Sequence, residues 1–218
     1  MNLKALFLTP SPFIEKEYEG VYGHYKITQD DHIEVLYYRI ALLSCGIFYS
    51  IGLLQWLIID PHWAGLWLIP LSISLGLSLK WIHIYLVNLH KLLIFFWAIG
   101  FVGVVTLLIT LGPKDMLTLM NEKPLLILII GPLFAALTGI GFKEFFCFQR
   151  PEAIGFTILI PLALLGHISG ILNSTVVISQ LILSAFLLLL LTIRKFNMDT
   201  SADVGDKSVF NYLAQQKA

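Results

Sequence analysis

Six stretches of the chain stay apolar for long enough to cross a bilayer, and short polar or turn-forming segments separate them. The first runs from about Val35 to Ile59. Its 25 residues exceed the roughly 20 that hydrocarbon requires, so it tilts or projects from the surface. Asp60-Pro61-His62-Trp63 forms a tight turn, and span two follows from about Ala64 to Leu79. Span three covers about Leu92–Leu111 and is ended by Gly112-Pro113, after which Met116, Leu117, Leu119 and Met120 read as a short surface turn. Spans four, five and six occupy about Leu125–Phe142, Ala153–Leu172 and Val176–Ile193. Between spans two and three, Trp81, Ile82, Tyr85, Leu86 and Leu89 share one helical face of Lys80–Lys91, which reads as an interfacial helix or a projecting end of span two. The expected fold is all-α: a polytopic membrane protein with a six-helix transmembrane bundle, short loops and an interfacial helix.

The remaining chain is polar. Residues 1–34 read as an N-terminal tail, 35–193 as the transmembrane domain and 194–218 as a C-terminal tail. The run Ala5 to Leu8 is too short for the apolar region of a cleavable signal and stops at Thr9-Pro10-Ser11-Pro12, where the prolines favour an extended start. The segment from Tyr18 to Tyr25, with Gly20 and Gly23, suits a turn or short hairpin. Asp31 followed by Glu34 resembles a capping box opening span one. Val209, Phe210 and Leu213 suggest one amphipathic turn near the end.

Composition agrees: 57% of the 218 residues are hydrophobic and 13% charged, against about 25% charged in soluble domains. The zero formal net charge hides an asymmetry. An even number of spans puts both termini on one side, and 12 of the 14 basic residues lie on that side. They include Lys4, Lys16, Lys26 and Arg39 near the first tail, Lys80 and Lys91, Lys143 and Arg150, and four in the second tail. Only Lys114 and Lys123 lie on the other, so both termini are expected to face the cytoplasm. Two cysteines give neither a disulfide framework nor zinc spacing.

Small residues recur every four positions at Gly131, Ala135 and Gly139 in span four, and at Gly166 and Gly170 in span five. In lipid such stripes let helix backbones approach, so spans four and five are expected to form a tight antiparallel pair.

Candidate chemistry gathers between those two spans. Phe142, Phe145 and Phe146 keep helical spacing, so span four should run on to Gln149, and Pro151 should stop it and open span five. Lys143, Glu144, Arg150 and Glu152 are balanced charges at interfacial depth, and Cys147 lies three residues before Arg150. These five residues read either as an ionic and aromatic anchor or as a docking and binding patch on the cytoplasmic face. His167 is an ionisable residue well inside a span, with small neighbours at Ala163, Gly166 and Gly170. Its imidazole suits either a hydrogen bond to a neighbouring helix or ligation of a flat macrocycle such as haem or chlorophyll, though the sequence requires no cofactor. No catalytic residue or metal site is assigned. Phosphate-binding loops, HExxH and GxSxG are absent, as are an intramembrane run of acids, transporter-like inverted repeats and the basic–aromatic interleaving of nucleic-acid binders.

GFKEFFCFQRPEAIGF followed by LIPLALLGHISGIL resembles an uncharacterised integral membrane protein family of cyanobacteria and plastids. The resemblance extends over nearly the whole chain and implies a photosynthetic setting, in the plasma or thylakoid membrane, without implying an activity. The leading functional expectation is a non-enzymatic accessory or assembly factor that docks a membrane protein complex at its cytoplasmic face. The alternatives are a small-solute transporter and a tetrapyrrole-binding protein built on His167.

Overall fold

The computed structural model describes residues 17–84, 86–209 and 212. The extended start at Pro10 and Pro12, and the Phe210 and Leu213 positions of the amphipathic turn, lie outside the described residues. The chain divides into two compact units, Met1–Leu36 with Asp199–Ala218, and Tyr37–Met198.

The terminal unit contains the hairpin. Strands β1 (Glu17–Gly20) and β2 (Gly23–Lys26) pair antiparallel, setting Glu17 opposite Lys26 and stacking Tyr18 on Tyr25 at 5.6 Å between rings. Opposite charges and aromatic pairs across strands are the contacts that stabilise so short a ladder. The C-terminal segment clasps the turn: the Val21 N–H donates to Asp206 Oδ2 at 2.7 Å, and the Tyr22 N–H to Ser208 Oγ at 3.0 Å. Span one is capped one turn earlier than its acidic pair implied. Thr28, not Asp31, is the N-cap residue, and Asp31 returns the bond from the third helical position, accepting from the Thr28 N–H at 2.6 Å. Lys207 then pairs with both Asp31 oxygens, at 2.9 and 2.8 Å.

Six helices among the described residues are long and apolar enough to span a membrane: Gln29–Ile59, Pro61–Trp81, Val87–Leu111, Pro124–Phe148, Pro151–Ile168 and Ser174–Lys195, spans one to six. The all-α, six-span architecture follows the apolar runs closely. Span one ends in a π-helical turn, Gln55–Ile59, and span two opens in a 3-10 turn, Pro61–Trp67, whose N-cap Asp60 accepts from the His62 N–H at 3.0 Å. A short helix, Met116–Glu122, follows span three and buries Met116 and Met120.

Lys80–Lys91 is not one helix. Span two ends at Trp81 and span three begins at Val87. Ile82 is extended, and Ile82 and Ile84 are both buried with His83 between them. Residues two apart share a side in extended chain and diverge in a helix, so burying both isoleucines requires the break.

Spans two to six pack as successive neighbours. Span one joins them through side chains, including Tyr49, whose hydroxyl lies 3.0 Å from Ser184 Oγ of span six. The close backbone approach falls elsewhere than the small-residue stripes implied. A Cβ at Gly100 would collide with the backbone of Leu133, and one at Gly103 with the carbonyl of Ile129, so spans three and four form the glycine-mediated contact. Gly131 has open space around it, Ala135 is exposed and Gly139 faces Leu93 of span three. Spans four and five do pack together, but at Gly141, against Phe156 and Thr157. Gly166 faces Leu172, and Gly170 takes φ +68 just past the end of span five, which therefore stops at Ile168.

Candidate functional site

Span four runs to Phe148, Gln149 turns the chain through the left-handed region at φ 51, and Pro151 opens span five, as the connector sequence implies. The last turn of span four thereby carries Lys143, Glu144 and Phe148 at the end of the bundle where span six finishes in Arg194 and Lys195. Glu144, with no exposed surface, gathers three partners. The Tyr38 hydroxyl donates to its Oε1 at 2.7 Å, the Lys143 ammonium lies 3.2 Å from Oε1, and the Lys195 ammonium donates to Oε2 at 2.6 Å. Both ammoniums also lie near the rings of Tyr38 and Phe148, at 4.7 to 5.6 Å from the ring centres. The ring faces and the carboxylate together replace the water that two buried cations lose. Successive helix positions point about 100° apart, so Arg194 reaches Glu152 of span five, 3.0 Å away, while Lys195 reaches Glu144.

This cluster corrects the reading of the connector as a surface patch. Lys143, Glu144 and Glu152 are buried in the bundle; Arg150 is half-buried, and Cys147 is exposed. The five do not form one face, because the helix points its ionisable positions inward, towards spans one and six. The sequence reading missed Tyr38 and Lys195. Lys195 entered it only as a tail charge, although an acid at Glu144 within an aromatic turn is a signal that a cation must come from elsewhere in the chain.

The opposite end of the bundle holds a cavity of about 230 Å³. Its walls come from the π-turn of span one (Trp56), the 3-10 turn of span two (Ala64, Trp67), the short helix (Met120, Asn121), the start of span four (Ile130, Phe134), the end of span five (His167) and the start of span six (Ser174, Val177). Asn121 and Ser174 are exposed and mark its mouth, whereas Leu71, Ile130 and Phe134 line it in the bundle core. A hydrogen bond from the Trp67 indole to Gln55 Oε1 latches the two irregular turns together. π-Helical turns concentrate at functional sites, and this one shapes a cavity wall.

His167, singled out from sequence, therefore lines a real cavity, but the space does not match a macrocycle. Leu172 fills the position beside Gly166, and 230 Å³ is the scale of one ring, since 150 Å³ holds a benzene. The residues present do not fit haem or chlorophyll. What the walls offer is carbon surface, four large aromatic side chains besides Trp56, and a few polar groups. Among the described residues neither the Trp56 indole N–H nor the His167 imidazole has a hydrogen-bond partner. Trp56, Ala64, Trp67 and Met120 were not legible as site residues, because three separate segments deliver them to one place.

Residues 77–212 match the family model described as "Uncharacterized integral membrane protein (DUF2301)". No curated protein and no solved structure matches the chain.

Proposed function

The chain belongs to the DUF2301 family of integral membrane proteins, and from that premise we propose that it binds a small, uncharged, largely apolar molecule inside the membrane, in the cavity lined by His167. The cavity carries this reading. Packed interiors contain few voids larger than a water molecule, and an apolar space of this size favours an apolar guest. The built walls, with two irregular turns tied by a side-chain hydrogen bond, support a shaped site. The test is to purify the protein in mild detergent, extract it with organic solvent and identify the extract by mass spectrometry. A molecule recovered at near-stoichiometric level from wild type, and lost in Val177→Phe, is the expected result. The added ring projects from the buried wall position and takes up the space. Equal recovery from both proteins overturns the reading.

A second reading, an accessory or assembly factor that docks a membrane complex, draws support from the terminal unit. Its hairpin is clasped by the C-terminal segment at Asp206 and Ser208, which gives the termini a defined surface instead of two loose tails. Co-purification of a complex, lost on removing residues 199–218, tests it. The charge bias supports cytoplasmic termini, and with them a cavity mouth on the opposite face.

A further inference from the structure

We propose that the cavity takes a single-ring carbonyl compound of the quinone class; this rests on the cavity being a ligand site and names the chemistry it selects. Three properties of the walls converge. The first is size, because about 230 Å³ is the scale of a compact ring compound.

The second is the character of the rings. Phe48, Tyr49, Trp67 and Phe134 line the cavity together with Trp56. Their faces are electron-rich and stack best against a ring depleted of electrons. A ring conjugated to carbonyls is such a ring, whereas a hydrocarbon or a phenol is not.

The third is hydrogen bonding. The Tyr49 hydroxyl is engaged with Ser184 and the Trp67 indole with Gln55. Trp56 and His167 line the cavity and have no partner among the described residues. An indole N–H only donates and a neutral imidazole both donates and accepts, so a ligand that presents acceptors satisfies both N–H groups. Carbonyl oxygens on an electron-poor ring meet both demands.

The experiment uses the full chain in lipid nanodiscs, with two probes of nearly the same shape. Duroquinone is a tetramethyl ring with two carbonyls, and durene is the tetramethyl ring without them. Binding is read from the rise of Tm with probe concentration, since a ligand of the folded state stabilises it by mass action. Duroquinone is expected to act at about tenfold lower concentration than durene, the scale of one or two hydrogen bonds. Trp56→Phe and His167→Phe should each reduce that preference while keeping the durene response, which reports an intact cavity. Equal potency of the two probes on wild type overturns the quinone assignment and leaves the cavity reading standing. No shift with either probe, or the same shifts in Val177→Phe, overturns both. If a substitution abolishes the durene response, the wild-type comparison alone decides.

Discussion

The Lys195 ammonium lies 2.6 Å from Glu144 Oε2, although 51 residues separate them in sequence and neither side chain reaches solvent. Glu144 sits in the last turn of span four and Lys195 at the end of span six, with Tyr38 of span one completing the contact. One carboxylate thus ties three helices at one end of the bundle. Buried ion pairs are poor stabilisers compared with apolar packing, but breaking one partner is expensive because it strands the other charges.

Glu144→Gln is therefore expected to destabilise the bundle by about 3–5 kcal/mol, because it removes the carboxylate charge that faces two buried ammoniums. Tyr38→Phe removes one hydrogen bond and keeps the ring beside both lysines, so it should cost about 1–3 kcal/mol. Thermal melts in one detergent give the order. Equal melting temperatures for Glu144→Gln and wild type would mean that the charges are hydrated and the cluster is not a lock.

The glycine contacts give a second, opposed pair of expectations. Gly103→Leu should destabilise by about 1–3 kcal/mol or more, because its side chain meets the Ile129 carbonyl and spans three and four must separate. Ala135→Leu should be nearly neutral, because Ala135 is exposed on the bundle surface. The same melts check both, and a destabilised Ala135→Leu would place a helix partner on that face.

These cases show what the sequence carried and what it withheld. Span number and position were legible because hydrocarbon demands long apolar runs, and the end of span four was legible because Pro151 limits the residue before it. Partner choice was not. Gly131, Ala135 and Gly139 have the spacing of a packing stripe, yet that spacing is the same whether the stripe meets a helix or lipid. Lys143 and Lys195 resemble interfacial charges until Glu144, Tyr38 and Phe148 are seen around them. His167 was visible as an ionisable residue inside a span, whereas Trp56, Ala64 and Trp67 join it only through two irregular turns that no hydrophobic period encodes. The break after Trp81 was lost because a run of apolar residues fits a helical face as well as an extended one.

Acid should loosen the terminal unit at Asp206. The Ser208 hydroxyl, then the N–H groups of Val21 and Ser208, donate to its carboxylate and hold its pKa below the ordinary 3.8. A group with a depressed folded pKa contributes stability that is present above its unfolded value and lost as pH falls through the folded one. The clasp should therefore hold at neutral pH and weaken below about 3.8. Amide exchange at Val21 and Tyr22, followed at neutral pH in wild type and Asp206→Asn, reads this directly, with faster exchange expected in the variant. Unchanged protection in Asp206→Asn would remove the carboxylate from the hairpin's support.

Orientation is open to a test sharpened by the buried cluster. Of the twelve basic residues assigned to the cytoplasmic side, Lys143 and Lys195 are enclosed beside Glu144 and contribute little net charge to the aqueous boundary. Arg39 is buried as well, so nine remain against Lys114 and Lys123 and the bias survives the correction. A reporter active only in the cytoplasm should give signal when fused after Ala218, and none when inserted beside the exposed Lys114. Because positive charge in short loops drives the choice, adding lysines between Pro113 and Lys123 should weaken the first signal and create the second. Neutralising Glu144 should not shift the balance, since its effect falls on packing and not on the charge of a loop. Signal from the Lys114 insertion alone would reverse the orientation and turn the mouth of the cavity towards the cytoplasm.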